Sequence, residues 1–344
     1  MPTRRDLLLA FAGMSLSIAR QRREVRLGNR RIKVVDIHGH FIAPEELDLL
    51  QGTNLAANIS NQPPSLILDA SRLRVMDDQG IDMQVLSHQG AWWYTIERPL
   101  AQKLIALQNE KLASWCRAHS DRFVGLASVA LQFPDLAAQQ LQDGIQQLGL
   151  RGVGISGHVG GEVPSTPKFD PFWTKVQDLA APVFVHPQGA ENVVRESTLG
   201  GRGDLGNIIG NPLETTVFLS RMILDGTLDR FPRLRIIGAH AGGYLPSYLG
   251  RTDVACEVRP NANCANKKKP REYFKDQILV DSMVFTDEGL RHLVAEIGSS
   301  QVVYGTDIPY NWPTPVDLIL RASFLTNAQK EAILGGNVSR LLRL

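Results

Sequence analysis

The residues that could act together chemically are four histidines and an aspartate, spread along most of the chain. His38 and His40 stand two apart in Val34-Val35-Asp36-Ile37-His38-Gly39-His40. His186 follows Val183-Phe184-Val185, His240 follows Ile236-Ile237-Gly238-Ala239, and Asp307 follows Val302-Val303-Tyr304-Gly305-Thr306. In an extended strand the two-residue period points His38 and His40 to one face, where two imidazoles suit zinc or a similar divalent ion. Alone, such a pair is as readily structural. Bound in such a site, a divalent ion can lower the pKa of water to about 7 and polarise a substrate oxygen. Three or four protein ligands leave positions open, and a neighbouring imidazole can shuttle a proton near neutral pH.

These residues work together only if the fold gathers them. Short apolar runs at 33–37, 83–86, 123–129, 152–155, 182–185, 234–238, 277–280 and 301–304 are mostly rich in Val, Ile and Leu with little polar alternation. That pattern predicts parallel strands covered on both faces. Amphipathic helical stretches at 71–79, 100–118, 134–148, 170–179, 213–228 and 286–297 separate them, the last with Thr286 as N-cap. Eight strands interleaved with helices predict a doubly wound sheet or a (β/α)8 barrel. No GxGxxG follows the first strand and no Walker motif is present, which removes the common nucleotide-binding readings. In a barrel all strand carboxyl ends open on one mouth, so the three histidine-bearing ends and the aspartate end converge there. Two stretches read as loop insertions after histidine-bearing strands: 53–66, with Pro63-Pro64, and the Gly- and Asn-rich 189–212.

The bulk properties fit one large globular unit. The chain has 344 residues, 43% hydrophobic and 21% charged, with a formal net charge of +2. α/β barrels often run to this size as a single domain. The charge gives no pull toward nucleic acid, and the run Lys267-Lys268-Lys269 reads as a solvated loop. Cys116, Cys256 and Cys264 form no CxxC and no disulfide framework, although Cys256 and Cys264 could pair in an oxidising compartment.

The N-terminus carries a compartment signal. Arg4-Arg5 precedes an apolar run from Leu7 to Ala19, too short to span a bilayer, and Arg20, Arg22 and Arg23 follow. This is the pattern of an export signal, with the paired arginines resembling a twin-arginine address and Ser17-Ile18-Ala19 a cleavage site. Residues 1–31 are therefore expected to be signal peptide and linker, and 32–344 the barrel domain. The mature protein is expected to be periplasmic or exported, without a membrane span. The alternative is a basic tail on a cytoplasmic enzyme.

In combination, Asp36-Ile37-His38-Gly39-His40, Val185-His186-Pro187, Ala239-His240-Ala241-Gly242-Gly243 and Gly305-Thr306-Asp307 resemble the amidohydrolase superfamily. More narrowly they resemble its branch typified by aminocarboxymuconate semialdehyde decarboxylase. Met76-Asp77-Asp78-Gln79-Gly80-Ile81, Arg122-Phe123-Val124-Gly125-Leu126, Pro212-Leu213-Glu214-Thr215-Thr216 and Phe231-Pro232-Arg233-Leu234 agree. The likeness spans roughly residues 32 to 344.

The resemblance implies a (β/α)8 barrel and one divalent metal, zinc or in some members manganese, held by His38, His40, His186 and Asp307. His240 would be the general acid/base. Two-metal members carry a lysine at the end of the fourth strand, where this chain reads Gly154-Ile155-Ser156-Gly157-His158, so one metal is expected. The implied reaction is decarboxylation of a small unsaturated or aromatic carboxylic acid. Hydrolysis of a lactone or cyclic amide on the same residues is the alternative. A barrel that only binds a metal or ligand would have no need of His240.

Arg251 matches an arginine that these decarboxylases present to the neighbouring subunit, which implies a homodimer and a carboxylate substrate. A second arginine of the aminocarboxymuconate enzymes has no counterpart in 53–66, and Gln188 stands where they carry Trp. Both departures bear on the substrate. His88 and Trp92 after the second strand are candidates to wall a flat substrate, and His158 and Gln188 to contact it or orient a ligand. Asp281 and Asp36 are expected to support the site by hydrogen bonding. His119 and His292 are expected on helix surfaces.

Overall fold

Each of the eight apolar runs forms a parallel strand. The computed structural model describes residues 22–89, 92–190, 192–313 and 315–344. The expected leader falls within 1–21, outside the described residues. The stretch expected to complete the linker docks on the barrel. β1 (Arg26–Leu27) and β2 (Arg30–Arg31) form an antiparallel hairpin, Arg23 N–H donates to Asp77 O at 3.0 Å, and Val25 is buried.

The barrel strands are β3 (Val35–Phe41), β4 (Met83–His88), β5 (Phe123–Gly125), β6 (Val153–Ile155), β7 (Val183–Val185), β8 (Ile236–Gly238), β9 (Ile278–Asp281) and β10 (Val302–Val303). They pair as β3-β4-β5 and as β6 through β10 in order. Two seams close the circle. Ile37 N–H donates to Tyr304 O (2.9 Å) and His40 N–H to Ile308 O (2.8 Å) between the first and last strands. Ala127 N–H donates to Gly152 O (2.9 Å) and Gly154 N–H to Ala127 O (3.0 Å) between β5 and β6. The run 123–129 is thus shorter as a strand than its apolar length suggests, because Ala127 pairs across the seam as an isolated bridge.

Burial on both strand faces explains the unbroken apolar runs. Val35, Ile37, Val85, Leu126, Phe184, Ile237 and Val303 pack within the barrel. A second, larger cluster fills the space between strands and helices, including Val34, Leu86, Val153, Trp173, Phe218 and Leu290.

The helices include α1 (Glu46–Leu50), α2 (Ala70–Gln79), α3 (Arg98–Ala118), α4 (Pro134–Gln146), α5 (Asp170–Asp178), α6 (Asn211–Leu224), α7 (Leu249–Val258) and α8 (Asp287–Ile297), and further short helices include Leu55–Ser60, Val316–Arg321 and Asn337–Leu342. Thr286 caps α8, accepting from Gly289 N–H at 3.0 Å. The helix expected over 213–228 breaks in two, because Gly226 adopts a left-handed conformation (φ 70°) before Thr227–Arg230. Both expected insertions hold local structure: a helix at Leu55–Ser60, and a π-turn at Gly206–Gly210 leading into α6. Cys256 and Cys264 form a disulfide, so the pairing open from sequence is present, and Cys116 is free. Among the described residues no helix is long and apolar enough to cross a membrane.

Candidate metal centre

The opening strand carries the site and departs from strict alternation. Val35 and Ile37 point into the barrel, so a regular strand would turn His38 away. The β3–β4 register shifts between Asp36 and Gly39. This bulge lets His38 follow Ile37 inward, where its ring meets that of Phe184 at 5.0 Å. Gly39 is required in between: a Cβ there would lie 2.4 Å from the Gln84 side chain. His38 and His40 then share a face as the spacing predicts, with ring centroids 4.8 Å apart.

His38, His40, His186 and Asp307 are all buried, and each offers one ligand atom within 4.8 Å of the others. The Nε2 atoms of His38, His40 and His186 and Oδ1 of Asp307 are buried and make no well-formed hydrogen bond, although Asp307 Oδ1 lies 3.2 Å from His38 Nε2 and 3.0 Å from His40 Nε2. Four such atoms turned toward one point fit a cation that draws them together, since a buried polar group without a partner is costly.

The opposite ring nitrogens fix the tautomers of His38 and His186. His38 Nδ1 lies 2.7 Å from Asp281 Oδ2, His186 Nδ1 is 2.9 Å from the Pro187 carbonyl, and His40 Nδ1 is 3.2 Å from Ser87 Oγ. A carboxylate or carbonyl must receive a proton from its imidazole, which leaves the Nε2 lone pair facing the cluster.

Electrostatics favour the ligating forms, with one competitor. Burial lowers His40 to about 4, and burial with neighbouring imidazoles holds His186 well below the usual histidine range. Burial also opposes charge on His38, but the Asp307 and Asp281 carboxylates outweigh it and raise His38 to about 10. The His38, His240 and His40 rings in turn hold Asp307 well below the carboxylate range despite its burial. A proton on His38 and a divalent ion thus compete for one lone pair between two carboxylates.

His240 joins the cluster from the loop after β8. Its ring lies 5.3 Å from that of His38 and 5.2 Å from that of His186, and its Nε2 is 3.8 Å from Asp307 Oδ2. Its backbone is left-handed (φ 53°), as is that of Ala241 (φ 57°), which ordinary L residues rarely adopt. Asp281 holds this turn, accepting from His240 N–H (3.0 Å) and Ala241 N–H (2.7 Å).

A second carboxylate secures the barrel seam. Asp36 accepts from His38 N–H (3.0 Å) and Thr306 N–H (3.1 Å) through Oδ1, and from Gln84 Nε2 (2.7 Å) and Thr306 Oγ1 (2.6 Å) through Oδ2. Buried Arg72 continues the network to Gln84 Oε1 (3.0 Å) and the His40 carbonyl (2.9 Å). Asp36 therefore joins the strand bearing both histidines to the segment bearing Asp307.

The remaining candidates stand elsewhere. His88 is buried against Glu46, its Nε2 2.8 and 2.9 Å from the two carboxylate oxygens, and Gln108 donates to the same carboxylate. This pair anchors α1, and no substrate contact is needed to explain it. His158 and Gln188 bind one another (2.9 Å), and His158 Nε2 meets the Gly189 carbonyl (3.1 Å). Glu214 binds the same loops, accepting from Gly157, Gln188 and Gly189 N–H. Trp92 is half-buried and tilted against Trp93 and Tyr94. Arg251 is exposed on α7. His119 is half-buried against Trp115 rather than on the surface, and His292 is exposed as expected.

The chain is similar to proteins of known activity. The amidohydrolase family profile matches residues 35–344. The chain is 32% identical over 278 residues to 2-amino-3-carboxymuconate-6-semialdehyde decarboxylase of Dictyostelium discoideum, covering 79% of this chain and 76% of that protein. It is 31% identical over 291 residues to gamma-resorcylate decarboxylase of Rhodococcus jostii, covering 80% and 88%. The crystal structure of 5-carboxyvanillate decarboxylase from Sphingomonas paucimobilis superposes with a TM-score of 0.83 at 26% identity, covering 91% of this chain and 99% of that one. The chain belongs to the amidohydrolase family, in the branch typified by aminocarboxymuconate semialdehyde decarboxylase.

Proposed function

We propose that this protein is a metal-dependent decarboxylase of a small aromatic or unsaturated carboxylic acid. The observation that carries the reading is the convergence of four buried ligand atoms, none in a well-formed hydrogen bond, beside His240, in a chain whose relatives are decarboxylases. His38, His40, His186 and Asp307 would hold one divalent metal, zinc or alternatively manganese. When bound, the metal supplies positive charge that orients and polarises the oxygens of an acidic substrate.

The chain's own residues supply the rest. His240 Nε2 faces Asp307, and its Nδ1 is buried without a partner. Its imidazole can carry a proton to the substrate carbon that bears the carboxylate. The carbon–carbon bond then breaks, its electron pair returns to the ring or enal, and carbon dioxide leaves. Asp281 keeps His240 in place during the transfer by holding its backbone. Arg251 is assigned to the substrate carboxylate of a neighbouring copy, in a homodimer. The enzyme is exported through the twin-arginine signal at its N-terminus, a reading supported by the Cys256–Cys264 disulfide.

Carbon dioxide release across a panel of hydroxybenzoates and muconate-type acids tests this reading. Release from at least one acid is expected, with His240→Ala abolishing it while metal content is retained. Turnover of lactones or cyclic amides with no carbon dioxide from any acid would reverse the assignment to a hydrolase.

A further inference from the structure

A cavity of about 430 Å³ opens directly beside His240 and Ala241. Ile208, Met283, Phe285, Leu293 and Trp312 are among the apolar residues of its wall. None of its described lining residues is Lys, Arg, Asp or Glu. Cavities that bury whole drug-sized ligands begin at about 300 Å³, so this space exceeds what one carboxylated ring requires.

Its wall is also built at a conformational cost. Phe285 has φ 57°, a left-handed backbone that a bulky residue rarely adopts, and the residue is 38% exposed. It stacks on Trp312 with centroids 5.3 Å apart and an interplanar angle of 26°. Nothing in the metal cluster needs this aromatic pair.

We infer that the cavity receives an uncharged apolar arm of the substrate, an alkyl or aryl substituent on the ring whose carboxylate reaction His240 serves. This inference rests on the decarboxylase reading and narrows its substrate class. The carboxylate has its charge partners at the cluster. A second carboxylate in the cavity would find no Lys or Arg on the described wall, only the imidazoles of His240 and His292, whereas methylenes or a second ring would gain apolar contact.

The test uses the metal-loaded full chain and dihydroxybenzoates bearing linear alkyl chains, methyl to heptyl, at each free ring position. Analogues whose chain ends in a carboxylate serve as a charged comparison. At one ring position kcat/KM should rise about fourfold per added methylene over the first few, and the charged analogues should lose that gain. Ser247 lines the outer cavity, so Ser247→Trp should lower the ratio of long-chain to unsubstituted turnover by about tenfold. Release of carbon dioxide from unsubstituted acids with no gain from chain length at any position would overturn the arm and leave the decarboxylase standing. An unchanged ratio in Ser247→Trp would place the arm elsewhere. No carbon dioxide from any acid would remove the underlying reading and the inference with it.

Discussion

Asp281 accepts a hydrogen bond from His38 Nδ1 at 2.7 Å, and the same carboxylate oxygen accepts the backbone N–H of His240 at 3.0 Å. One side chain thus orients a proposed metal ligand and fixes the left-handed turn that presents the proposed proton carrier. Asp281→Asn removes the charge while keeping the shape. It should weaken metal affinity about 10- to 100-fold, the usual cost of losing such a partner, as read by competition with a chelator. Affinity equal to that of the unaltered protein would show that Asp281 does not set the His38 tautomer.

Asp36→Ala should destabilise the fold on the order of 3 kcal/mol, because donors from His38, Thr306 and Gln84 lose one buried acceptor. Denaturant unfolding measures that loss. Metal content should fall as well, since Asp36 ties the paired histidines to the segment bearing Asp307. A stable, fully metal-loaded variant would show that the backbone seam is sufficient alone.

The histidines and Asp307 were legible in the sequence because each directly ends or follows a strand with a strong apolar signature, and a barrel brings all such ends to one rim. Asp281 was legible for the same reason. The Asp36–Gln84–Arg72 network was not, since its members lie on β3, β4 and α2 and meet only after closure. Nor was the bulge at 36–39, which depends on the register with β4. Nor was the role of Glu214, which clamps two loops through tertiary contacts. The Glu46 partner of His88 was not legible either, since Glu46 lies far away in sequence on a short helix with little periodicity.

Burial pushes the Glu46 carboxyl up, but His88, Gln108 and the Ala43 N–H outweigh it and hold Glu46 below its ordinary value. The native state therefore binds fewer protons here than the unfolded chain. The resulting stability is fully present above the ordinary carboxyl range and is lost as pH falls through the native value. Glu46→Gln should cost about 3 kcal/mol near neutral pH and flatten the decline in Tm as pH falls below the ordinary carboxyl range. A decline as steep as in the unaltered protein would assign the acid sensitivity to other carboxylates.

Arg251 offers a test of the shared site. If it serves the neighbouring copy, His240→Ala and Arg251→Ala are each inactive alone but complement one another when mixed after dissociation. Random reassortment gives half heterodimers with one intact site each, so about a quarter of full activity should return. No recovery from mixed dimers confirmed by mass would confine Arg251 to its own subunit.

The central claim is that four side chains from three strand ends share one ion. Anomalous diffraction from crystals of the metal-loaded protein tests it most directly. The predicted result is a single ion bound by Nε2 of His38, His40 and His186 and Oδ1 of Asp307 at about 2.0–2.2 Å. An ion bound elsewhere, or a cluster that stays empty in crystals grown with excess zinc or manganese, would contradict the account.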